Sequence, residues 1–289
     1  MSTSKQHFKV HLNPAEFANV VIGAALGDGL PADRSIDFSA QRGKPMIVIA
    51  AAPKSGSTFL SNVVSRITEL PYCRLSAAYS TNEHDLYLPA LYMMNPIGCV
   101  SQMHMKGTFH NASLLKMFGI KPVILVRNIK DTIISLANDL RSKEQLDGFG
   151  SGQNGYSFLW QDHAIANLNE TSLIDCIIDL AIPWYVNFHV SWYRLCTQKA
   201  VDALWVGYED MMRDKRTVVS NILEFTGFGK GTSIDDAILN QRYAKFNDSR
   251  SGRGSIILSE EQQLRLQRLF SYYPDIDFSR YGLGQAKIS

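Results

Sequence analysis

Residues 45–52, "PMIVIAAA", are apolar at every position. A strand wetted on one face alternates apolar and polar residues. A strand that is apolar throughout is buried on both faces, as in a parallel sheet covered by helices on each side. Three further runs have strand character: "GCVSQMHM" at 98–105, "KPVILVR" at 121–127 and "ALWVGYED" at 203–210. Helical patterns separate them. Val63, Val64 and Ile67 follow the first run at helical spacing. "NASLLKMFGI" reads as a helix with Asn111 near its cap and Gly119 at its end, and "NIKDTIISLANDLRS" as one with Asp131 as cap or first-turn acid. "RTVVSNILEFTGF" puts Val218, Val219, Ile222 and Leu223 on one face and stops at Gly227. "LSEEQQLRLQRLFSYYP" opens with Ser259 and Gln262 at capping-box spacing and ends before Pro274. Strands alternating with helices predict an α/β fold, three layers around a central, mostly parallel sheet.

The 289 residues fit one domain, with 1–44 as an N-terminal extension that carries a short helix around Ala15–Leu26. Apolar residues at 45% suffice for a full core. A net charge of +2 and a pI near 8.3 argue against a nucleic-acid partner, for which a domain pI above ~9 is expected. Such a balance does suit a local site for a small polyanion. Cys73, Cys99, Cys176 and Cys196 form no CxxC pair and no metal-ligand spacing. They are expected as reduced thiols in a cytoplasmic protein. The apolar stretch "LIDCIIDLAIPWYVNFHVSWYRLC" is interrupted by Asp175, Asp179, Pro183, Asn187 and Arg194. It is expected as a buried or amphipathic helical region broken near Pro183, not as a membrane span. The polar, glycine-rich segment 141–157 is a long loop, either a lid or simply disordered.

In a parallel α/β sheet, ligands bind at the carboxyl ends of the strands. The turn after the first strand holds Lys54, Ser55, Gly56, Ser57 and Thr58 and leads into a helix start, where unpaired N–H groups and a positive dipole end favour an anion. Gly56 allows close backbone approach, Lys54 adds charge, and Ser57 and Thr58 add donors. The alternative is an ordinary strand-to-helix connection. The pattern is not GxxxxGK[ST], so a nucleoside triphosphatase is disfavoured. Arg127 ends the third strand on the same edge, where it can grip a phosphate bidentately, and Ser135 lies on the next helix. Otherwise Arg127 would pair with Asp131 or Glu209, and Ser135 would bond its own backbone.

Together "PKSGSTF" and "LVRNIKDTIIS", in this order, resemble the cytosolic-type sulfotransferases, which use 3′-phosphoadenosine 5′-phosphosulfate (PAPS). "VGYED" with its following helix matches too, and the resemblance spans about 45–275. It implies a P-loop NTPase-like sulfotransferase fold and transfer of a sulfuryl group from PAPS to a hydroxyl, less often an amine, of a small molecule, without a metal. By similarity, Lys54–Thr58 would hold the 5′-phosphosulfate and Lys54 would stabilise the leaving phosphate. Phe59 stands where many members stack tryptophan on adenine; its other reading is a core residue of the helix start. Arg127 and Ser135 would bind the 3′-phosphate, and Tyr208 would line the adenine pocket. His104 occupies the place of the family's base, with His110 as rival. Many members have a lysine two residues before that histidine; here the position is Gln102, and Lys106 follows instead.

The family's late RKGxxG element is altered to "FNDSRSGRG". Arg250, Ser251, Gly252, Arg253 and Gly254 could still wrap the 3′-phosphate, with the choice of arginine open; the alternative is a mobile basic loop. Aromatics in "YSFLWQDH" and "PWYVNFHVSWY" line an acceptor pocket or simply fill the core, and Asp162 and His163 are possible acceptor contacts. Oligomeric state is open. Two rival functions remain. A P-loop nucleotide kinase would want the missing GK[ST]. A non-catalytic nucleotide-binding protein of the same fold would have no need of both Lys54 and His104.

Overall fold

The structure, a computed structural model, describes residues 43–77, 83–141, 156, 158–159, 163–229, 232–241 and 252–283. The expected helix at Ala15–Leu26 lies outside them, as do most of 141–157, Asp162, Arg250 and Ser251.

Four strands form one parallel sheet: β1 (Met46–Ala51), β2 (Cys99–Met103), β3 (Val123–Val126) and β4 (Leu204–Gly207), in the order β2-β1-β3-β4. Their residues alternate between two cores. Met46, Val48 and Ala50 of β1 and Ile124 and Val126 of β3 face one, while Ile47, Ile49, Ala51, Val123 and Leu125 face the other. Both faces are covered, which explains the unbroken apolar runs and makes the architecture three-layered, as expected.

On one face lie α1 (Ser57–Thr68), α8 (Tyr208–Arg213) and α9 (Lys215–Phe225), which bury Phe59, Leu60, Val63, Val64, Met211, Val219, Ile222 and Leu223. Each such side chain contributes roughly 1.5–3 kcal/mol on burial. The other face carries α2 (Leu88–Met94), α3 (Phe109–Met117), α4 (Ile129–Leu140), α6 (Glu170–Cys176), α7 (Ile182–Thr197) and α12 (Glu260–Ser271). Short helical turns complete the described chain: α5 (His163–Ala166), α10 (Asp236–Leu239), α11 (Arg253–Ile257) and a final one at Ser279–Tyr281.

Three local expectations change. The helical region is not broken at Pro183: a π-helical turn, Ile177–Ala181, joins α6 to α7, and Pro183 falls in the first turn of α7 just after it. The joined segment Glu170–Thr197 is long and apolar enough to cross a membrane, yet 67% of its most apolar window is buried inside this fold. The fourth strand stops at Gly207, and Tyr208 opens a helix instead of continuing it. Finally, Thr108 rather than Asn111 caps α3; Asn111 instead accepts from Leu86 N and donates to Asp85 and to the Lys106 carbonyl. The capping box of Ser259 and Gln262 forms as expected, and the four cysteines are free.

Candidate active site

From β1 the chain moves to β2 on one side and then to β3 on the other, so the switch point of the sheet lies at the carboxyl ends of β1 and β3. Four strand ends converge there. After β1, Ser55 turns the chain back by bonding the Ala52 carbonyl through its N–H (3.3 Å) and its hydroxyl (2.6 Å). Its hydroxyl is thereby a loop brace and not a free donor. Lys54 sits at φ 63, a left-handed conformation uncommon outside glycine and concentrated at functional sites, and Gly56 at φ 86. A Cβ on Gly56 would come within 2.8 Å of the Tyr208 ring, so both backbone and space require glycine. Helix α1 then starts with no side-chain cap and no acid in its first turn. No side chain among the described residues caps its leading N–H groups, which lie at the positive end of the helix dipole.

Arg127, immediately after β3, is 6% exposed. It donates to the Lys54 carbonyl at 3.2 Å, and its guanidinium lies 4.3 Å from the centre of the Tyr208 ring, which follows β4. Its Nε is buried and has no hydrogen-bond partner among the described residues. Such a donor calls for an anion or a water. Neither ion pair of the alternative reading, to Asp131 or to Glu209, forms. Glu209 accepts from Asn128 N at 3.0 Å, and Asp131 accepts from Gly252 N and Gly254 N at 2.8 and 2.9 Å. Asp131 thus pins the glycine-rich turn onto the start of α4. Gly254 fits so closely there that a Cβ would lie 2.2 Å from the Lys130 carbonyl carbon. Ser135 lies one turn further along α4, half-buried. Arg250 and Ser251 are outside the described residues, as is the side chain of Arg253.

His104 follows β2. Its Nδ1 lies 2.8 Å from the Ala51 carbonyl, which can only accept, so Nδ1 carries the proton and Nε2 presents a lone pair. Gln102 Nε2 sits 3.3 Å from that nitrogen. Burial lowers the His104 pKa to about 4, against the opposing Ala51 hydrogen bond and with help from the nearby His84 and Lys54 charges. The ring is therefore neutral near pH 7. His110 instead bonds the Leu86 carbonyl at 3.0 Å from the start of α3, and Lys106 pairs with Glu83. Phe59 is 5% exposed in the core under α1, with the Lys215 ammonium 5.4 Å from its ring centre.

Residues 44–265, well over half of the chain, match the family described as "Sulfotransferase domain". The chain belongs to the sulfotransferase family. It catalyses sulfuryl transfer in the general sense that membership carries. Among solved structures, mouse sulfotransferase SULT7A1, complexed with PAP, shares 15% identity and a TM-score of 0.55, over 86% of this chain and 91% of that one. A sulfotransferase from Alicyclobacillus acidocaldarius shares 14% identity and a TM-score of 0.43, over 83% and 94%. No curated protein matches the chain by sequence.

The candidate site gathers further residues to which motif reading gave no role beside the donor turn. Asp139, on α4, pairs with Lys54 at 2.5 Å and accepts from the Tyr156 hydroxyl at 2.5 Å. Tyr185 of α7 donates to the Pro53 carbonyl at 3.2 Å. His84 takes the His104 backbone N–H on Nδ1 (2.9 Å) and returns a bond from its own N–H to the His104 carbonyl (3.0 Å). Asp139 continues the Asp131 and Ser135 face of α4 at four-residue steps, and Tyr156 and Tyr185 stand in the aromatic stretches weighed for an acceptor pocket, whereas His84 left no trace in the sequence. Of the aromatics weighed for an acceptor pocket, Trp184, Tyr185, Phe188 and Trp192 are all buried in the core. Asp162 and the side chain of His163 lie outside the described residues.

Proposed function

We propose that this sulfotransferase transfers the sulfuryl group of PAPS to a hydroxyl of a small-molecule acceptor. The observation that carries this reading is the open start of α1, where Lys54 and the unpartnered Nε of Arg127 meet the neutral ring of His104 on one sheet edge. The donor set fits a polyanion: backbone N–H groups, an ammonium and a guanidinium.

In this reading the Lys54–Thr58 turn and the first N–H groups of α1 bind the 5′-phosphosulfate. Arg127, Ser135 and the turn at Gly252–Gly254, with Arg250, Ser251 and Arg253, take the 3′-phosphate. Tyr208 stiffens Arg127 and borders the base. Phe59, packed into the core, supports α1 from beneath. His104 Nε2 accepts the proton of the acceptor hydroxyl while the acceptor oxygen forms its bond to sulfur. The bond from sulfur to the phosphate oxygen breaks, and Lys54 stabilises the charge left on that oxygen. No step requires a metal, and alignment with charge stabilisation suffices, as in phosphoryl transfer. The free thiols suit the cytoplasm as its compartment.

The test is transfer of labelled sulfate from PAPS to a panel of phenols, alcohols and amines. Turnover on hydroxyl acceptors, lost ~10²-fold or more in His104→Ala with binding of the nucleotide intact, is the expected result. Full kcat in His104→Ala would remove the base, and wild-type binding without turnover on the whole panel would favour a non-catalytic role.

A further inference from the structure

An anion site with a carboxylate inside it needs a reason. Lys54 belongs to the turn that faces the donor, yet its ammonium is held by Asp139 Oδ1 at 2.5 Å. The two side chains are only 21% and 14% exposed. On Oδ2 the same carboxylate accepts from Tyr156 at 2.5 Å. The Tyr156 ring stacks on Phe158 with centroids 5.0 Å apart, Phe158 lies 5.7 Å from Tyr185, and Tyr185 bonds the carbonyl of Pro53, next to Lys54. The contacts therefore close into a ring from Lys54 through Asp139, Tyr156, Phe158 and Tyr185 back to the turn.

Asp139 competes with any phosphate or sulfate for Lys54, because one ammonium cannot lie fully on both. Its own charge also repels a polyanion at this depth, where screening is weak. Tyr156 acts the other way. A buried carboxylate stripped of its cation is strongly destabilising, and a hydrogen bond kept on its second oxygen lessens that loss. Burial and the Asp139 charge hold the Tyr156 phenol well above its ordinary pKa, so this hydroxyl stays a donor.

We propose that Asp139, supported by Tyr156, is the positioning residue that holds Lys54 beside the donor site and yields it to the phosphosulfate, and so sets the affinity for the donor. This rests on the PAPS reading. Asp139 lowers donor affinity, Tyr156 raises it, and the two removals have opposite signs although the residues share a hydrogen bond.

Calorimetric titration with PAP (3′-phosphoadenosine 5′-phosphate) tests this in the wild-type chain, Asp139→Asn and Tyr156→Phe, with thermal melts alongside. Asp139→Asn is expected to tighten PAP about fivefold, the scale of one largely buried but competing ion pair. Tyr156→Phe is expected to weaken it several-fold. In Lys54→Met, the gain from Asp139→Asn is expected to shrink to less than half. Damage to packing would instead weaken PAP in both single variants. If Asp139→Asn weakens PAP or leaves it within twofold, the role given to Asp139 is overturned while the donor reading stands. If wild-type protein binds no PAP, the donor reading falls and this proposal with it.

Discussion

Helices α1 and α4 both begin where an interior strand of the sheet ends, on the same edge, and their first turns are built oppositely. At α4, Asn128 caps the N–H groups of Lys130 and Asp131, and the Asp131 carboxylate in the first turn takes two more N–H groups from the Gly252–Gly254 turn. That helix start is neutralised by its own chain and serves as an anchor. At α1, left-handed Gly56 offers no side-chain cap, and no acid follows. In the proposed reading a ligand completes that start. The difference teaches that an anion site in such a sheet is marked by what its helix lacks, with the charged side chains of the neighbouring strand ends gathered around the gap.

Closing the open start should have the largest effect. Gly56→Ala must strain φ and press on Tyr208, and we expect PAP affinity to fall by up to ~100-fold, read by calorimetry. Unchanged affinity would mean that the open turn is not the donor site. Opening the closed start should come next. Asp131→Ala leaves the N–H groups of Gly252 and Gly254 without their acceptor, so stability should drop by about 1–3 kcal/mol and PAP affinity about tenfold. A loss of stability with full affinity would separate the Gly252–Gly254 turn from the donor. A helix start remote from the edge gives the control. Ser259→Ala breaks the capping box of α12 and should lower stability by ~1 kcal/mol in chemical denaturation without altering PAP binding.

Protons should matter least to activity. Because the His104 pKa is lowered to about 4, the base stays mostly neutral, and kcat/KM should lose only about a tenth to its protonation between pH 7 and pH 5. Stability behaves differently. In the unfolded chain His104 and His189 titrate near their ordinary value of 6.5, while folded both are held near 4 by burial. The unfolded state thus binds the extra protons, and stability falls as the pH drops from about 6.5 toward 4. A kcat/KM limb centred at 6.5 would place the base elsewhere.

Features that depend on neighbours in the chain were legible in the sequence. The all-apolar strands require two covered faces, and Lys54, Gly56 and Arg127 fall at strand ends by simple spacing. Ser259 and Gln262 announce their own cap. What escaped depends on contacts distant in sequence. Asp139 meets Lys54 across 85 positions of chain and Tyr156 meets Asp139 across 17, and no local pattern separates a solvated helix-face aspartate from a buried counter-ion. His84 brackets His104 from a segment with no motif at all. The π-turn before Pro183 hid because proline marks a likely helix break by its local chemistry, whereas packing on both sides keeps α6 and α7 joined.

The central claim is that the open start of α1 and Arg127 together form a site for a nucleotide carrying a 3′-phosphate. The most direct measurement is calorimetric binding of PAP against ADP and ATP, each with and without magnesium. The account predicts that PAP binds independently of magnesium and at least tenfold tighter than ADP, because only PAP presents the phosphate that Arg127 awaits. Equal affinity for PAP and ADP, or a preference for ATP with magnesium, would contradict it.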